Sequence, residues 1–258
     1  MASSSAIEWT DATWNPVTGC TKISPGCRFC YAERLASRLQ LMGTARYRNG
    51  FRVTLQPDQL TLPLRWRERR MIFVNSMSDL FHEDVPLEYI DEVFTVMRRA
   101  RQHVFQVLTK RADRLVEWYR TQPEKHIPDH IWLGVSIESM RYAWRADRLR
   151  TIYAPVRFVS AEPLLGSLQD LDLTGISWLI AGGESGGSAT RALVERIGSH
   201  WRPKPSAVIW IRELRDACDR AGVAFFFKQW GGRTSKSNGR HLDGLEWSEY
   251  PTDRAVSS

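Results

Sequence analysis

The stretch Gly19-Cys20-Thr21-Lys22-Ile23-Ser24-Pro25-Gly26-Cys27-Arg28-Phe29-Cys30-Tyr31 carries three of the four cysteines in the chain. Thiolates are soft ligands that select zinc, copper(I) or iron–sulfur clusters. Pro25 and Gly26 are turn residues, so the segment predicts a loop that curls around a metal. A closed zinc site needs four ligands, and no nearby His or Cys supplies the fourth. Three thiolates on one loop therefore predict a cubane iron–sulfur cluster in which one iron has no protein ligand.

The bulk composition suits a globular protein with a full core. The chain has 258 residues, of which 43% are apolar. No apolar run is long enough to span a membrane, and the first five residues, Met1-Ala2-Ser3-Ser4-Ser5, lack the basic and apolar regions of a signal peptide. Clustered cysteines without such a signal favour metal binding over disulfides, which predicts a reducing cytoplasm. We also expect a monomer.

The charge balance points to an acidic partner. The formal net charge is +7, and the chain contains 11 tryptophans. Basic charge attracts phosphate backbones, and aromatic faces stack on bases, so we expect a nucleic acid. The alternative is that tryptophans fill the core while arginines cover the outer faces of helices.

Strands alternate with helices along most of the chain, which predicts an α/β fold with a parallel sheet. About seven or eight strands are expected, close to a partial or closed (β/α) barrel. We predict that residues 1–231 form this barrel and that residues 232–258 form a polar tail. Residues 7–17 are expected to form one strand. The predicted helices are Tyr31–Met42, Pro86–Arg101, Ala112–Tyr119, Met140–Leu149 and Ser206–Ala221, the last with Ser206 as its N-cap.

A cysteine loop that ends in C-x-x-C-Tyr ahead of strand–helix units resembles the radical S-adenosylmethionine (SAM) superfamily. The usual spacing there is C-x-x-x-C-x-x-C, whereas this chain has C-x6-C-x-x-C. Most of the chain also resembles a phage-encoded family that carries the longer spacing. The matching segments are Trp9–Pro16, the cysteine loop, Asn75–His82, Gly182–Gly186 and Phe226–Gly231.

This resemblance implies that Cys20, Cys27 and Cys30 hold a [4Fe–4S] cluster and that SAM binds the fourth iron through its amino and carboxylate groups. It implies an external electron donor such as flavodoxin or ferredoxin, cleavage of SAM to methionine and a 5′-deoxyadenosyl radical, and hydrogen abstraction from a substrate. Spore photoproduct lyase, a DNA-repair member of the superfamily, has a similar Ser-Asp turn. A damaged or modified base is therefore the expected substrate, with DNA favoured and repair of a thymine photoproduct as the concrete version.

Polar residues follow the predicted strands, where the chemistry of parallel barrels is located. By resemblance, Ser76, Ser78 and Asp79 are expected to hold the SAM ammonium. The alternative for serine and aspartate at these turns is helix capping. The alternative for Glu138, Glu162 and Glu184 is salt bridging to Lys110, Arg111 and Lys228. Ser136, Glu138 and Glu162 are also expected to bind SAM. The residues expected to bind the substrate are Lys110, Arg111, Gly183, Glu184 and Trp230. Lys228 and Tyr31 are the expected catalytic residues, and Tyr47, Tyr142 and Tyr153 are the alternatives to Tyr31 as hydrogen donor.

Three other functions remain open from the sequence. Modification of an RNA base uses the same chemistry on a different nucleic acid. A zinc- or cluster-stabilised protein that binds nucleic acid without catalysis accounts for the cysteines and the charge. A radical SAM enzyme that acts on a peptide accounts for the cysteines but not for the basic surface.

Overall fold

The computed structural model describes residues 5–184, 192–234 and 236–251. The internal contacts divide the chain into two units. The first comprises the residues up to Ile23 together with Cys30–Val135 and Thr151–Pro155. The second comprises Ser24–Phe29, Ser136–Arg150 and the chain from Val156 onward. Because the boundary crosses the cysteine loop twice, each unit carries part of that loop.

The first unit is built on parallel strands with helical connections. Its main strands are arranged in the order β1-β4-β5-β6 and run parallel to one another, while β2 and β3 form a short antiparallel pair. Its elements in chain order are β1 (Ala12–Trp14), β2 (Val17–Thr18), α1 (Tyr31–Leu41), β3 (Thr54–Leu55), β4 (Met71–Val74), α2 (Leu87–Arg99), β5 (Val104–Thr109), α3 (Ala112–Thr121) and β6 (Ile131–Ser136).

Helix α2 shows why these elements form. Ile90, Val93, Phe94 and Met97 recur at helical spacing and are all completely buried. Burial of each such side chain stabilises the fold by roughly 1.5–3 kcal/mol relative to leaving it exposed. Phe94 packs on Trp118 of α3 with ring centroids 3.9 Å apart, so the two helices share one apolar seam.

The second unit has three parallel strands in the order β7-β8-β11, with two antiparallel hairpins, β9–β10 and β12–β13. With the four strands of the first unit, seven parallel strands are present among the described residues. Its elements are α4 (Trp144–Arg150), β7 (Arg157–Ala161), β8 (Trp178–Gly182), β9 (Val194–Ile197), β10 (His200–Pro203), α5 (Pro205–Ala221), β11 (Ala224–Gln229), β12 (His241–Leu242) and β13 (Leu245–Glu246).

Strand β11 is apolar on both faces, as expected of a strand in a covered parallel sheet. Phe225, Phe226 and Phe227 are each at most 1% exposed. The segment predicted as a polar tail returns along this strand: Phe227 N–H donates to Trp247 O at 2.9 Å, and Glu249 N–H donates to Phe225 O at 3.1 Å. Residues 247–249 thus pair with β11, and the predicted domain boundary at 231 stays a prediction.

The predicted helices α1, α2 and α3 are confirmed to within two residues at each end. Three other predictions were wrong in detail. The single strand over residues 7–17 is two short strands, since Pro16, which lacks an N–H, stands between them. Residues Met140–Tyr142 form a 3-10 turn before α4. Helix α5 has Lys204 as its N-cap rather than Ser206, because Pro205 suits the first helical position. Across the described ranges, no helix combines the length and apolarity needed to traverse a bilayer.

Candidate active site

The backbone before Cys20 requires a glycine. Gly19 has a φ of +85°, and a Cβ at this position would lie 2.1 Å from the carbonyl oxygen of Arg52. Its N–H donates to Met77 O at 3.0 Å, while Cys20 N–H donates to Phe51 O at 3.2 Å. The left-handed backbone and the close approach together exclude a side chain. Cys20 is thereby fixed between the turn after β4 and the segment before β3.

Arg111 brings a positive charge to Cys20. Its Nη1 lies 3.5 Å from Cys20 Sγ and 3.2 Å from Asp79 Oδ2, and its Nε donates to Glu83 Oε2 at 2.9 Å. Its Nη2 donates to both oxygens of Thr21, at 3.2 Å and 2.9 Å. Burial alone would lower the pKa of Arg111, but the negative charges of Asp79 and Cys20 raise that pKa above its usual value. The guanidinium therefore stays charged, and its planar fork fixes the start of the cysteine loop.

Asp79 orients Arg111 and is itself fully hydrogen-bonded. Its Oδ1 accepts from Phe81 N–H at 3.0 Å and from the Thr109 hydroxyl at 2.7 Å. Its Oδ2 accepts from Lys110 N–H at 3.1 Å and from Arg111 at 3.2 Å. Both carboxylate oxygens are thus engaged within the protein, and the residue is buried. A role for Asp79 in holding the SAM ammonium stays a prediction.

A neutral histidine supports Thr21. His82 is buried, and its Nδ1 accepts from Asp84 N–H at 3.1 Å. The ring hydrogen is therefore on Nε2, which lies 2.8 Å from the Thr21 hydroxyl and donates to it. Burial, followed by the charge of Arg111, lowers the pKa of His82 below its usual value. The Thr21 hydroxyl accepts from both Arg111 and His82, so this residue next to Cys20 has a fixed side chain.

In the second unit, the turn that carries Cys27 is anchored on a buried carboxylate. The Ser24 hydroxyl donates to Glu138 Oε1, and Cys27 N–H donates to Ser24 O at 2.9 Å. A Cβ on Gly26 would lie 2.9 Å from Glu138 Oε1, so only a glycine fits there without a shift. Arg145 Nη1 lies 2.8 Å from Glu138 Oε2, and the two side chains are 2% and 0% exposed. The buried pair therefore positions this turn.

Cys30 is the residue immediately before α1. It packs against a small buried cluster that includes Ala36 and Met77. The amino end of a helix favours a negatively charged group beside it. The next residue, Tyr31, is 49% exposed, and its hydroxyl donates to the carbonyl of Ser76. Its proposed part in hydrogen transfer stays a prediction.

The donor type of the cysteines, though not their arrangement, suits a thiolate-bound metal group. None of the four forms a disulfide within the part of the chain that the structure describes; Cys20, Cys27 and Cys30 are half-buried, whereas Cys218 is completely buried, as expected of a structural thiol. The thiolate is the form that ligates metals, and the charge of Arg111 stabilises it at Cys20. Within the described ranges, no group of three or more His, Cys, Asp or Glu side chains is arranged to hold a single metal ion.

The two predicted serines after β4 hold the turn to its neighbours. The Ser76 hydroxyl donates to Asn15 Oδ1 at 3.3 Å, and the Ser78 hydroxyl donates to Val17 O at 2.8 Å. These contacts tie the turn to the chain that leaves β1. They give both serines a structural role, and SAM binding by them stays a prediction.

The predicted polar residues of the second unit pair with each other. Glu162 and Lys228 form a salt bridge of 3.0 Å, with side chains 15% and 18% exposed. A Cβ on Gly182 would lie 2.7 Å from Glu162 Oε1, so the glycine makes room for this carboxylate. Ser136 is buried, and its carbonyl accepts from Arg145 at 2.8 Å. Salt bridging, the alternative considered from the sequence, is thus observed for Glu162 and Lys228.

The run that begins at Gly183 packs against the end of β11. A Cβ on Gly183 would lie 2.1 Å from the carbonyl oxygen of Trp230. The carbonyl of Glu184 accepts from Gly232 N–H at 2.9 Å, and Trp230 is buried. Close approach by the protein's own backbone therefore explains Gly183. Ser185 and Gly186, which complete the matching segment Gly182–Gly186, lie outside the described residues.

A cleft of about 650 Å³ opens beside Cys20 in the first unit. Thr21, Gln40, Asn49 and Arg52 contribute to its walls. Its size is that of a pocket for a small organic molecule. Amide, hydroxyl and guanidinium groups in the wall suit a polar ligand with hydrogen-bonding edges.

Comparison with protein families gives one match over most of the chain. The family described as "Protein of unknown function (DUF5131)" matches residues 4–251. No curated protein matches the chain.

Comparison with solved structures shows the fold. A cysteine-to-serine mutant of spore photoproduct lyase matches with a TM-score of 0.54 at 10% identity, covering 88% of this chain and 78% of that one. Spore photoproduct lyase complexed with dinucleoside spore photoproduct matches with a TM-score of 0.51 at 11% identity over the same shares. The predicted fold class, an α/β parallel (β/α) partial barrel of radical SAM type, is confirmed.

Several residues around the cysteines were missed from the sequence. Ser24 lies in the cysteine loop itself, and His82 and Arg145 contact the loop or its anchors, but none of the three was predicted as a site residue. Their contacts span many residues, as between Ser24 and Glu138, 114 positions apart. The sequence contained one signal for His82, which is the last residue of the matching segment that includes the Ser-Asp turn. In the folded protein its buried ring requires hydrogen-bond partners.

Proposed function

Because the chain belongs to the DUF5131 family and has the fold of spore photoproduct lyase, we propose that it is a radical SAM enzyme that acts on a nucleic-acid base. The observation that carries the proposal is the loop of three half-buried cysteines in a fold of this type. Cys20, Cys27 and Cys30 would hold a [4Fe–4S] cluster that leaves one iron for SAM. When bound, this pair supplies reductive cleavage of SAM and abstraction of a hydrogen atom.

The chain's own residues prepare the loop for that group. Arg111 holds positive charge 3.5 Å from the Cys20 sulfur, which favours the thiolate form needed for ligation. Glu138, neutralised by Arg145, accepts from Ser24 and holds the turn of Cys27. Two buried ion pairs therefore pre-organise two thiols, which reduces the ordering cost of binding a cluster.

The concrete substrate we propose is a thymine photoproduct in DNA. The net charge of +7 supports a nucleic acid, because the phosphate backbone dominates such affinity. The structural relative complexed with dinucleoside spore photoproduct supports this choice of lesion. A base in a duplex has to leave the stack to reach an enclosed site. Tyr31, which is 49% exposed, and Lys228 remain the candidates for the catalytic residues that act on that base.

The proposed cofactor- and substrate-binding residues rest on the resemblance drawn from the sequence. SAM binding is assigned to strand-end residues, and substrate binding to basic, acidic, glycine and aromatic positions. The first set is Ser76, Ser78, Asp79, Ser136, Glu138 and Glu162, and the second is Lys110, Arg111, Gly183, Glu184 and Trp230. The partners are DNA and an external one-electron donor.

Anaerobic incubation tests the proposal. The reconstituted protein is mixed with SAM, dithionite and ultraviolet-irradiated DNA, and the nucleosides are then analysed together with methionine and 5′-deoxyadenosine. The proposal expects SAM cleavage and loss of a photoproduct, neither of which occurs with a Cys27→Ala variant. Parallel reactions with unirradiated DNA and with RNA identify the substrate. SAM cleavage with RNA modification would move the assignment to an RNA base, and no SAM cleavage by an iron-loaded protein would refute the proposal.

A further inference from the structure

Positive charge is concentrated beside the cysteines. The whole chain carries a formal net charge of +7. Residues 22–52 hold seven basic residues and one acidic residue, a net charge of +6, which leaves +1 for the rest of the chain. This asymmetry gives one segment nearly the whole excess charge. Its basic residues are Lys22, Arg28, Arg34, Arg38, Arg46, Arg48 and Arg52.

Helix α1 presents arginines and apolar side chains together to solvent. Its buried side consists of Ala32 and Ala36. Residues three or four apart lie on the same face of a helix. Arg34, Arg38 and Leu41 therefore share a face that differs from the face of Ala32 and Ala36. Leu41 and Met42 are 90% and 67% exposed, and Leu35 is 40% exposed. We call the exposed set of Arg34, Leu35, Arg38, Leu41 and Met42 the outer face of α1.

The segment contains one acidic side chain beside its seven basic ones. Glu33, the one acidic residue of the segment, forms a salt bridge of 2.7 Å with Lys22. Arg46 has a long contact of 3.8 Å with the exposed Asp58. Ion pairs between exposed groups are weak and screened, so the field of the segment remains positive.

The outer face starts next to a cysteine. Helix α1 begins at the residue after Cys30. At about 1.5 Å per residue, Arg34 lies about 6 Å and Arg38 about 12 Å along the helix axis from Cys30. A macromolecule bound to this face is therefore close to one of the thiols assigned to the cluster.

We propose that the outer face of α1 docks a small acidic protein that carries one electron, an inference that rests on the proposed function. In the step served by this contact, the carrier is oxidised by one electron and the cluster is reduced by one, and no covalent bond forms or breaks. Positive charge near the acceptor attracts an acidic carrier and speeds the encounter.

The mixture of side chains favours a protein over a nucleic acid. Interface cores between proteins are enriched in Met and Arg and depleted in Lys. The outer face consists of Arg34 and Arg38 together with two leucines and one methionine. Surfaces for single-stranded nucleic acid stack bases on aromatic side chains, and the five residues of this face include none.

The test compares two double variants with equal charge change. Arg34→Glu/Arg38→Glu reverses the outer face. Arg67→Glu/Arg69→Glu is the matched control, because both arginines are exposed. They precede the amino end of β4, whereas the cysteine loop is hydrogen-bonded to Met77, beyond the carboxyl end of that strand. Each anaerobically loaded protein is mixed with reduced flavodoxin as the probe, and the rate of cluster reduction is followed by visible absorbance. Dithionite in excess gives the full extent of reduction.

We expect the outer-face variant to be reduced by flavodoxin at least about tenfold more slowly than the wild type at low salt, and the difference to shrink at high salt. The control variant should match the wild type, and all three should be fully reduced by dithionite. Equal rates for the two double variants, or no reduction of the wild type by flavodoxin, would overturn the inference while the proposed function stands. Slower DNA binding with unchanged reduction would assign the face to nucleic acid instead. A wild type that loads no cluster would refute the proposed function and this inference with it.

Discussion

Replacing Arg111 by glutamine tests whether buried charge organises the start of the cysteine loop. The substitution removes an ion pair to Asp79 in which both side chains are less than 10% exposed. Breaking a buried pair by removing one partner costs about 3–5 kcal/mol. Asp79 keeps its bonds from Phe81, Thr109 and Lys110. We therefore expect a loss of about 3 kcal/mol, at the low end of that range.

Urea unfolding measures the loss, followed by the fluorescence of the tryptophans. Arg114→Gln is the matched control, since Arg114 pairs with Glu117 on the surface of α3 with side chains 24% and 56% exposed. Such an exposed pair contributes less than about 1 kcal/mol. Asp79→Asn and the double variant complete a cycle with Arg111→Gln, and we expect coupling above about 1 kcal/mol because the residues are in contact.

A second measurement on the same variants separates positioning from stability. Arg111 contacts the Cys20 sulfur, so we expect Arg111→Gln to retain less iron after anaerobic purification at a temperature where the protein is folded. Arg111→Lys should fall between the wild type and Arg111→Gln, since a lysine keeps the charge but not the fork. Equal stability of Arg111→Gln and Arg114→Gln would refute the buried-pair reasoning, and wild-type iron content would refute the positioning role.

Three further predictions follow from single contacts. Gly183→Ala should destabilise the protein by about 1–3 kcal/mol in the same urea assay, because its Cβ would lie 2.1 Å from the Trp230 carbonyl oxygen. Gly166→Ala is the control and should be neutral or stabilising, because nothing lies within contact distance of its Cβ. Similar changes in stability for the two variants would contradict this prediction. Burial, followed by the charge of Arg111, lowers the pKa of His82 in the folded protein. Below about pH 6.5 the unfolded chain therefore binds a proton at this residue that the folded chain does not. The free energy of unfolding consequently decreases as the pH is lowered. His82→Gln should lose less stability from about pH 7 to about pH 5, and parallel losses would contradict this. Glu138→Gln should cost about 3 kcal/mol by leaving a buried guanidinium without its counter-charge, and thermal unfolding at wild-type temperature would argue against it.

The local elements of the fold were largely predictable from the sequence. Helix α2 follows from the spacing of Ile90, Val93, Phe94 and Met97, and α1 ends at Leu41, one residue before its predicted end at Met42. Periodicity is a local property, so it is available from one chain. The start of α5 was less predictable, because a serine and a proline stood side by side and the proline set the first turn.

The partners of the polar residues were not predictable. The sequence identified Asp79 as a polar residue after a buried strand, but its partner Arg111 is 32 positions away. Glu162 and Lys228 are similarly distant and meet across neighbouring parts of the second unit. Such pairs depend on which strands lie side by side, and no local pattern specifies that. The same limit applies to the anchor of Cys27 on Glu138.

The most direct test of the central claim is the iron and acid-labile sulfide content of the anaerobically purified protein and its cysteine variants, with Mössbauer spectroscopy to identify the cluster. We expect the wild type and Cys218→Ala to hold a [4Fe–4S] cluster, and Cys20→Ala, Cys27→Ala and Cys30→Ala each to lose it. Zinc in place of iron in the wild type, or an equal loss in Cys218→Ala, would contradict the account.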